Sequence, residues 1–276
     1  MTTTNKIAVL IDGDNAESAL VEQILGEAGR YGKVTVKRIY ADWTDIRMKS
    51  WKDKINAYAI RPIQKFAYTT GKNSTDSALI IDAMDLLHSK NVDGFCIVSS
   101  DSDYTGIAHR IREEGLFVMG IGRSHTPEAF VKACENFTYS EILVPSQEVR
   151  EGRESRQPQH GDKKDRRPDK GSKTIKDARP VVAEKIDLKL IGSLKESGLK
   201  PIDFNQIDTA FNMVVNEDTG LALLSTFGPA LRKIDPTFDP RNFGFATFRK
   251  FCESLSANFE MIKHKDGSTL SLKKRD

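Results

Sequence analysis

The chain has 276 residues, of which 38% are hydrophobic and 29% are charged, and its formal net charge is +3. This length fits one large domain or two small ones. The sequence contains neither an apolar run of membrane-spanning length nor the pattern of a signal peptide after Met1. Cys96, Cys134 and Cys252 lie far apart and form no Cys-x-x-Cys pair, which argues against disulfides and zinc ligands. We therefore expect a soluble protein of the cytoplasm with no membrane association.

The charge is spread unevenly and divides the chain into three parts. Residues 145–180 carry 11 Lys and Arg against 7 Asp and Glu, with few apolar residues and several Pro and Gly. Such a composition is typical of a disordered linker, and its basic excess favours contact with phosphate groups as a second role. We predict domains at residues 1–145 and 181–276, joined by a basic linker at 146–180.

The first part alternates short apolar runs with segments of helical periodicity. The runs predict strands at 7–11, 34–41, 60–66, 95–98, 116–121 and 139–144, and the periodic segments predict helices at 16–29, 44–59, 75–89, 104–111 and 127–135. Pro62 restricts the third strand to a sheet edge. Strand-helix alternation predicts an α/β fold with a parallel sheet and helices on both faces.

Acidic residues follow two of these strands. Asp12 ends the first strand, whereas Asp101 and Asp103 follow the fourth, and Asp76 opens the helix before the fourth strand. Because parallel strands end at one edge of the sheet, these carboxylates converge if strands one and four are neighbours. A simpler interpretation is that Ser102 or Asp103 only caps the next helix.

Clustered carboxylates repel one another, and a divalent cation relieves that repulsion. Oxygen ligands without His or Cys favour Mg²⁺ or Mn²⁺ over zinc. We predict a metal site at Asp12, Asp76, Asp101 and Asp103, with Asn15 and Ser100 nearby.

Three motifs occur here in order: Asp12-x-x-Asn15, Ser74-Thr75-Asp76-x-x-Leu79, and 99–104, Ser-Ser-Asp-Ser-Asp-Tyr. Together they resemble the NYN branch of the PIN-like ribonuclease superfamily over about residues 5–144. The resemblance implies a three-layer α/β/α sandwich and a metal-dependent ribonuclease that leaves 5′-phosphate and 3′-hydroxyl ends. It implies catalytic roles for the four aspartates and for Asn15.

Other residues invite weaker interpretations. Lys72 could meet an RNA phosphate, although a plain surface lysine fits equally well. Asp82 and Asp85 do not lie on the helix face that carries Asp76, so they fit a solvated or helix-packing role. Asp12-Gly13-Asp14 also occurs in phosphohydrolases with a nucleophilic aspartate, but that class has Thr or Val where Ala16 stands here.

The last part regains a core pattern. Amphipathic segments predict helices around 186–198, 204–214, 224–234 and 245–256, and two alternating segments at 259–262 and 269–272 flank an Asp-Gly turn. Helices followed by a hairpin predict a small winged helix-turn-helix domain.

The motif Phe238-Asp-x-Arg241-x-Phe-Gly within this part resembles the LOTUS domain, also called OST-HTH. The resemblance implies a module that binds RNA or a protein partner. Arg241, Asn242 and Lys250 are the candidate RNA contacts, together with Ser100 in the first domain. Most of the phenylalanines near the motif fit the hydrophobic core, namely Phe243, Phe245, Phe248 and Phe251.

The sequence thus predicts a hydrolase that cuts RNA phosphodiester bonds, with single-stranded RNA as the expected partner. One alternative of another class stays open: a non-catalytic RNA-binding adaptor that retains its acidic site for metal or nucleotide binding.

Overall fold

The computed structural model describes residues 5–66, 74–144, 201–264 and 268–275. Lys72, the predicted linker at 146–180 and the predicted helix at 186–198 lie outside these ranges. Within them, the helices fall short of the length and apolar character that a membrane span requires.

The first domain is built on a six-stranded parallel sheet with the order β3-β2-β1-β4-β5-β6. Its strands are β1 (Lys6–Asp12), β2 (Lys33–Ala41), β3 (Arg61–Gln64), β4 (Gly94–Val98), β5 (Phe117–Gly122) and β6 (Asn136–Tyr139). β3 is an edge strand, as Pro62 predicts, since proline has no N–H for a second neighbour.

Helices cover both faces of this sheet. They are α1 (Val21–Gly29), α2 (Lys52–Ala57), α3 (Ser74–Ser89), α4 (Thr105–Glu113) and α5 (Glu128–Ala133). Alternate residues of β1 point to opposite faces. Ile7, Val9 and Ile11 pack in the core that contains α1, whereas Ala8 and Leu10 pack in the core that contains α3, α4 and α5. The prediction of a three-layer α/β/α sandwich is confirmed.

β1 and β4 are neighbours, which is the condition on which convergence of the carboxylates depends. Ile11 pairs with Val98 in register, so Asp12 and Ser99 leave the sheet side by side. The connections from β1 and β4 run to opposite flanks of the sheet, and this change of direction opens a crevice at the carboxyl ends.

The strand predicted at 139–144 is wrong in its bounds. The strand β6 ends at Tyr139, and Ser140–Leu143 forms a 3₁₀ helix. Glu141 accepts a hydrogen bond from the Ser124 N–H at 2.8 Å, which ties this segment to the loop after β5. A contact between residues so far apart in sequence has no signature in local periodicity.

The second domain combines helices with a three-stranded antiparallel sheet of order β7-β9-β8. Its elements are α6 (Phe204–Asn212), β7 (Leu221–Leu223), α7 (Leu224–Ile234), α8 (Phe248–Ser254), β8 (Phe259–Lys263) and β9 (Leu270–Lys274). Phe251 is fully buried, and Phe243, Phe245 and Phe248 pack against the same core, as predicted. The strand β7 was not predicted, because three residues are too few to show a period.

The two domains touch along the edge strand β6. Phe137 donates its N–H to the Pro236 carbonyl oxygen at 2.8 Å. Arg241 reaches the buried carboxylate of Glu27 at the end of α1, with an Nη2–Oε2 distance of 3.1 Å.

Candidate metal centre

Asp12 is the buried centre of the crevice at the carboxyl ends of β1 and β4. Its side chain has no solvent exposure and accepts hydrogen bonds from two parts of the chain. Asn15 donates from Nδ2 at 2.7 Å and the Asp14 N–H donates at 3.1 Å, both within the turn after β1. Ser99 donates from Oγ at 2.8 Å across the sheet. Asp12 therefore ties the end of β1 to the end of β4.

The segment after β4 forms a turn that presents two carboxylates. Ser99 Oγ accepts the Asp101 N–H at 3.1 Å, and Asp101 caps the following 3₁₀ helix by accepting the Asp103 N–H at 2.9 Å. The interpretation that Ser102 or Asp103 caps the helix is wrong, because Asp101 is the capping residue and α4 begins without a side-chain cap. Capping and metal binding are compatible in one carboxylate because it has two oxygens.

Tyr104 connects the fourth aspartate to this arrangement. Its ring is fully buried, and its hydroxyl donates to Asp76 Oδ1 at 2.7 Å and lies 3.3 Å from Asp12 Oδ2. Asp76 lies in the first turn of α3, where an acidic side chain is favoured by the helix dipole.

Among the described residues, three carboxylates lie close enough together that they could hold a metal ion. Asp76, Asp101 and Asp103 each offer an oxygen, and these oxygens lie within 4.8 Å of one another. Asp76 and Asp101 are half-buried and Asp103 is exposed, so the group is open to solvent. An all-oxygen donor set of this kind fits Mg²⁺ or Mn²⁺ and leaves positions for water or phosphate oxygens.

The pKa of Asp76 is shifted in the direction expected for a carboxylate held close to other carboxylates. Burial raises the pKa of Asp76, the Tyr104 hydrogen bond opposes that shift, and the nearby Asp101, Asp103 and Asp14 charges raise it further. Like charges held this close oppose joint ionisation, and a bound cation would reverse that effect.

Asp12 differs from the other three aspartates. Burial raises the pKa of Asp12, while hydrogen bonds from Asn15 and Ser99 oppose the shift. Its oxygens are occupied by protein donors, and it lies outside the group of three. Coordination of a metal by Asp12 stays a prediction.

The remaining predicted site residues lie in diverse surroundings. Asn15 supports Asp12 directly. Ser100 accepts the Arg123 N–H through Oγ at 2.9 Å, at the rim of the crevice. Asp82 contacts Arg38 and Tyr40 of β2, which fits its predicted packing role. Lys72 lies outside the described ranges.

The candidate RNA contacts of the second domain have diverse surroundings as well. Asn242 is buried and donates from Nδ2 to the Thr237 carbonyl oxygen at 2.8 Å. Arg241 binds Asp239 and Glu27. Lys250 is exposed on α8. RNA contact at these three positions stays a prediction.

Sequence reasoning missed the roles of Ser99 and Tyr104. Both belong to the motif at 99–104, but a buried hydroxyl that joins two carboxylates has no local signature. The only available signal was the polar Tyr104 on the apolar face of a predicted helix, where its hydroxyl needs a buried partner.

Comparison with known proteins agrees with this architecture. The family model described as the NYN domain matches residues 6–141, and the model described as the OST-HTH/LOTUS domain matches residues 205–271. NYN domains belong to the PIN-like nuclease superfamily, and OST-HTH domains are associated with RNA binding.

Curated proteins yielded no match. Among solved structures, the crystal structure of a protein of unknown function from Vibrio parahaemolyticus is 19% identical and has a TM-score of 0.43, covering 50% of this chain and 94% of that chain. The order of the two matched models leads to one conclusion: the chain carries an NYN domain followed by an OST-HTH/LOTUS domain.

Proposed function

We propose that this protein is a metal-dependent ribonuclease that hydrolyses RNA phosphodiester bonds in its NYN domain and holds RNA with its OST-HTH domain. The observation that carries the proposal is the open group formed by Asp76, Asp101 and Asp103, whose oxygens lie within 4.8 Å of one another in a PIN-like domain.

The chain's own residues divide the work between binding and positioning. Asp76, Asp101 and Asp103 offer the oxygens that would hold the cation. Tyr104 orients Asp76, and Ser99 orients the following turn because its Oγ accepts the Asp101 N–H. A bound Mg²⁺ or Mn²⁺ would supply activation of water for in-line attack and stabilisation of the leaving oxygen.

Asp12 and Asn15 act as positioning residues in this proposal. They join the ends of β1 and β4, so that the turn bearing Asp101 and the helix bearing Asp76 keep their spacing. Preorganised ligands of this kind need little reorganisation at the moment of reaction. The domains proposed for these tasks extend over residues 1–145 and 181–276, with 146–180 as the linker.

The test is cleavage of single-stranded RNA by the purified full chain with Mn²⁺ or Mg²⁺, with and without EDTA. Asp101→Asn should lose cleavage by orders of magnitude, as expected for one member of a catalytic unit. Asp85→Asn is the matched control, because Asp85 is a carboxylate further along α3 and outside the group of three. Cleavage at full rate in EDTA would refute the proposal.

Metal binding by calorimetry gives a readout that does not depend on activity. Mn²⁺ should bind the wild-type chain and Asp85→Asn alike and bind Asp101→Asn more weakly. A wild-type chain that binds RNA and Mn²⁺ but cuts no RNA would instead support the non-catalytic adaptor.

A further inference from the structure

The seam between the two domains has fixed contacts on both sides. The segment 235–241 of the second domain runs beside β6, where Pro236 accepts the Phe137 N–H. Glu27, with only 5% of its surface exposed, is held between Arg241 and Arg30. Glu27 thus accepts a guanidinium from each domain and links the two sides of the seam.

Two cavities of about 280 and 510 Å³ adjoin each other along this seam. Residues from both domains form walls that the cavities share: Tyr31 and Asn136 from the first domain, and Arg232 and Pro236 from the second. We call this pair of cavities the seam groove. It exists only while the domains are in contact.

The larger cavity has a basic wall. Arg112 and Lys132 contribute from the first domain and Arg232 and Lys233 from the last turn of α7, against the single carboxylate of Glu135. Arg112 is held in place by the carbonyl oxygens of Lys132 and Ala133 at 3.4 and 3.3 Å. Cations converging from two domains concentrate positive potential within a cleft.

Arg232 and Lys233 form no ion pair with any described residue, whereas Lys132 pairs with Glu128. The simpler interpretation of Arg232 and Lys233 is that they only balance the dipole of α7, because cations are stabilising near a helix C-terminus. That interpretation does not account for the cations of the other domain, because Arg112 and Lys132 line the same cavity as Arg232 and Lys233.

We propose that the seam groove binds the phosphodiester backbone of RNA at a site separate from the metal centre. Guanidinium and ammonium groups pair with successive phosphates. The choice of RNA over an acidic protein rests on the proposed function, since a ribonuclease substrate already brings RNA to this chain.

The position of the groove indicates what it contributes. Asn136 begins β6 and Tyr31 precedes β2, so the groove lies at the amino ends of the strands, opposite the edge that carries Asp12 and Asp101. A strand of six residues such as β5 spans ~20 Å at about 3.3 Å per residue. The groove therefore selects RNA long enough to reach around the domain and leaves short oligonucleotides unaffected.

The experiment measures RNA affinity of the full chain against salt concentration, in EDTA so that cleavage is excluded. Arg232→Gln combined with Lys233→Gln should weaken binding of a long RNA and lower the salt slope by about 0.7 for each phosphate that is no longer neutralised. Lys52→Gln combined with Lys54→Gln on α2 is the control of equal charge, and it should bind as the wild-type chain does.

A second variant tests whether both domains build the site. Lys132→Gln, in the first domain, removes one cation and should lower the salt slope by about 0.7, the value for one phosphate. If both variants bind the long RNA with the same affinity and the same salt slope as the Lys52/Lys54 control, the proposal is overturned. Unchanged RNA binding together with abolished binding of polyglutamate would assign the groove to an acidic protein and overturn the proposal for RNA.

The outcome is separable from that of the proposed nuclease activity. Cleavage of a short oligonucleotide should be equal in the wild-type chain and the Arg232/Lys233 variant. If neither cuts RNA but the variant loses affinity for long RNA, the groove stands and the nuclease proposal fails. If both cut and both bind alike, the groove proposal fails alone.

Discussion

Tyr104 donates its buried hydroxyl to Asp76 at 2.7 Å and lies 3.3 Å from Asp12, so one side chain joins the carboxylate that opens α3 to the one that ends β1. Burial and both carboxylates raise the pKa of Tyr104, which keeps its proton in place as the donor. The hydroxyl has a single hydrogen, and the shorter distance assigns it to Asp76.

Tyr104→Phe keeps the ring and removes this donor. We expect the free energy of unfolding to fall by about 1–3 kcal/mol, because a partly buried carboxylate loses a hydrogen bond. We also expect weaker Mn²⁺ binding and slower cleavage, since Asp76 is no longer oriented. Urea denaturation and calorimetry provide the two measurements.

Tyr40→Phe is the matched control for that variant. Tyr40 is fully buried and donates to a different aspartate, Asp82, which lies outside the group of three carboxylates. It should lose comparable stability while Mn²⁺ binding and cleavage stay near the wild-type values. Equal losses of activity in both variants would contradict the positioning role of Tyr104.

Asp12→Asn and Asp101→Asn should differ in stability. Asp12→Asn replaces one accepting oxygen with an NH₂ donor. Whichever oxygen is replaced, the new donor faces a group that donates to Asp12, namely Asn15, Ser99 or the Asp14 N–H. We therefore expect the free energy of unfolding to fall by about 1–3 kcal/mol. Asparagine caps helices as well as aspartate does, so Asp101→Asn should keep the stability of the wild-type chain. Thermal unfolding compares the stabilities of the two variants. Equal stabilities would argue against a structural role of Asp12 at the ends of β1 and β4.

Gly122→Ala tests how closely β5 supports the Asp101 turn. A Cβ at this position would lie 2.4 Å from the Ser99 carbonyl oxygen and 2.7 Å from Thr126 Oγ1. Because the nearer atom belongs to the backbone, the turn must move, and we expect a stability loss of roughly 1–3 kcal/mol together with lower activity. Thermal unfolding and the cleavage assay measure the two effects.

Gly106→Ala is its control within α4, where a new Cβ would meet no atom within 4 Å. Alanine in a helix interior is more favourable than glycine, so this variant should gain about 0.5–1 kcal/mol of stability. Full activity in Gly122→Ala would show that the position of the turn does not matter for cleavage.

Asp239 makes the second domain sensitive to acid. Burial acts to raise the pKa of Asp239, but the hydrogen bonds from the Arg241 side chain and N–H outweigh it and hold that pKa below the ordinary value of 3.8. A depressed pKa in the folded state means that the stabilisation is fully present above 3.8 and is lost as pH falls through the lower folded value.

The measurement is thermal unfolding of the full chain between neutral pH and strongly acidic pH, with Asp239→Asn alongside. The wild-type chain should lose more stability in the acid range than the variant, which cannot titrate at position 239. Parallel curves would show that the Asp239–Arg241 pair contributes no pH-dependent stability.

The sequence alone determined the order of strands and helices in the first domain. Buried strands of a parallel sheet are continuous apolar runs, as at 7–11 and 95–98, and such runs are visible without any tertiary information. Pro62 likewise placed β3 at an edge, because the absence of an N–H is a property of the residue itself. The acidic residues at the strand ends followed from the same pattern.

Only the tertiary structure decided which aspartates form a group. Ser99 meets Asp12 across 87 positions of the chain and, with Asn15 and Tyr104, surrounds Asp12 with hydrogen-bond donors, whereas Asp76, Asp101 and Asp103 form the group of three. It also decided that Arg241 lies against Glu27. Periodicity reports which face of an element is buried, whereas the partner of a polar side chain depends on how distant segments pack, and that information is not present in any local stretch of sequence.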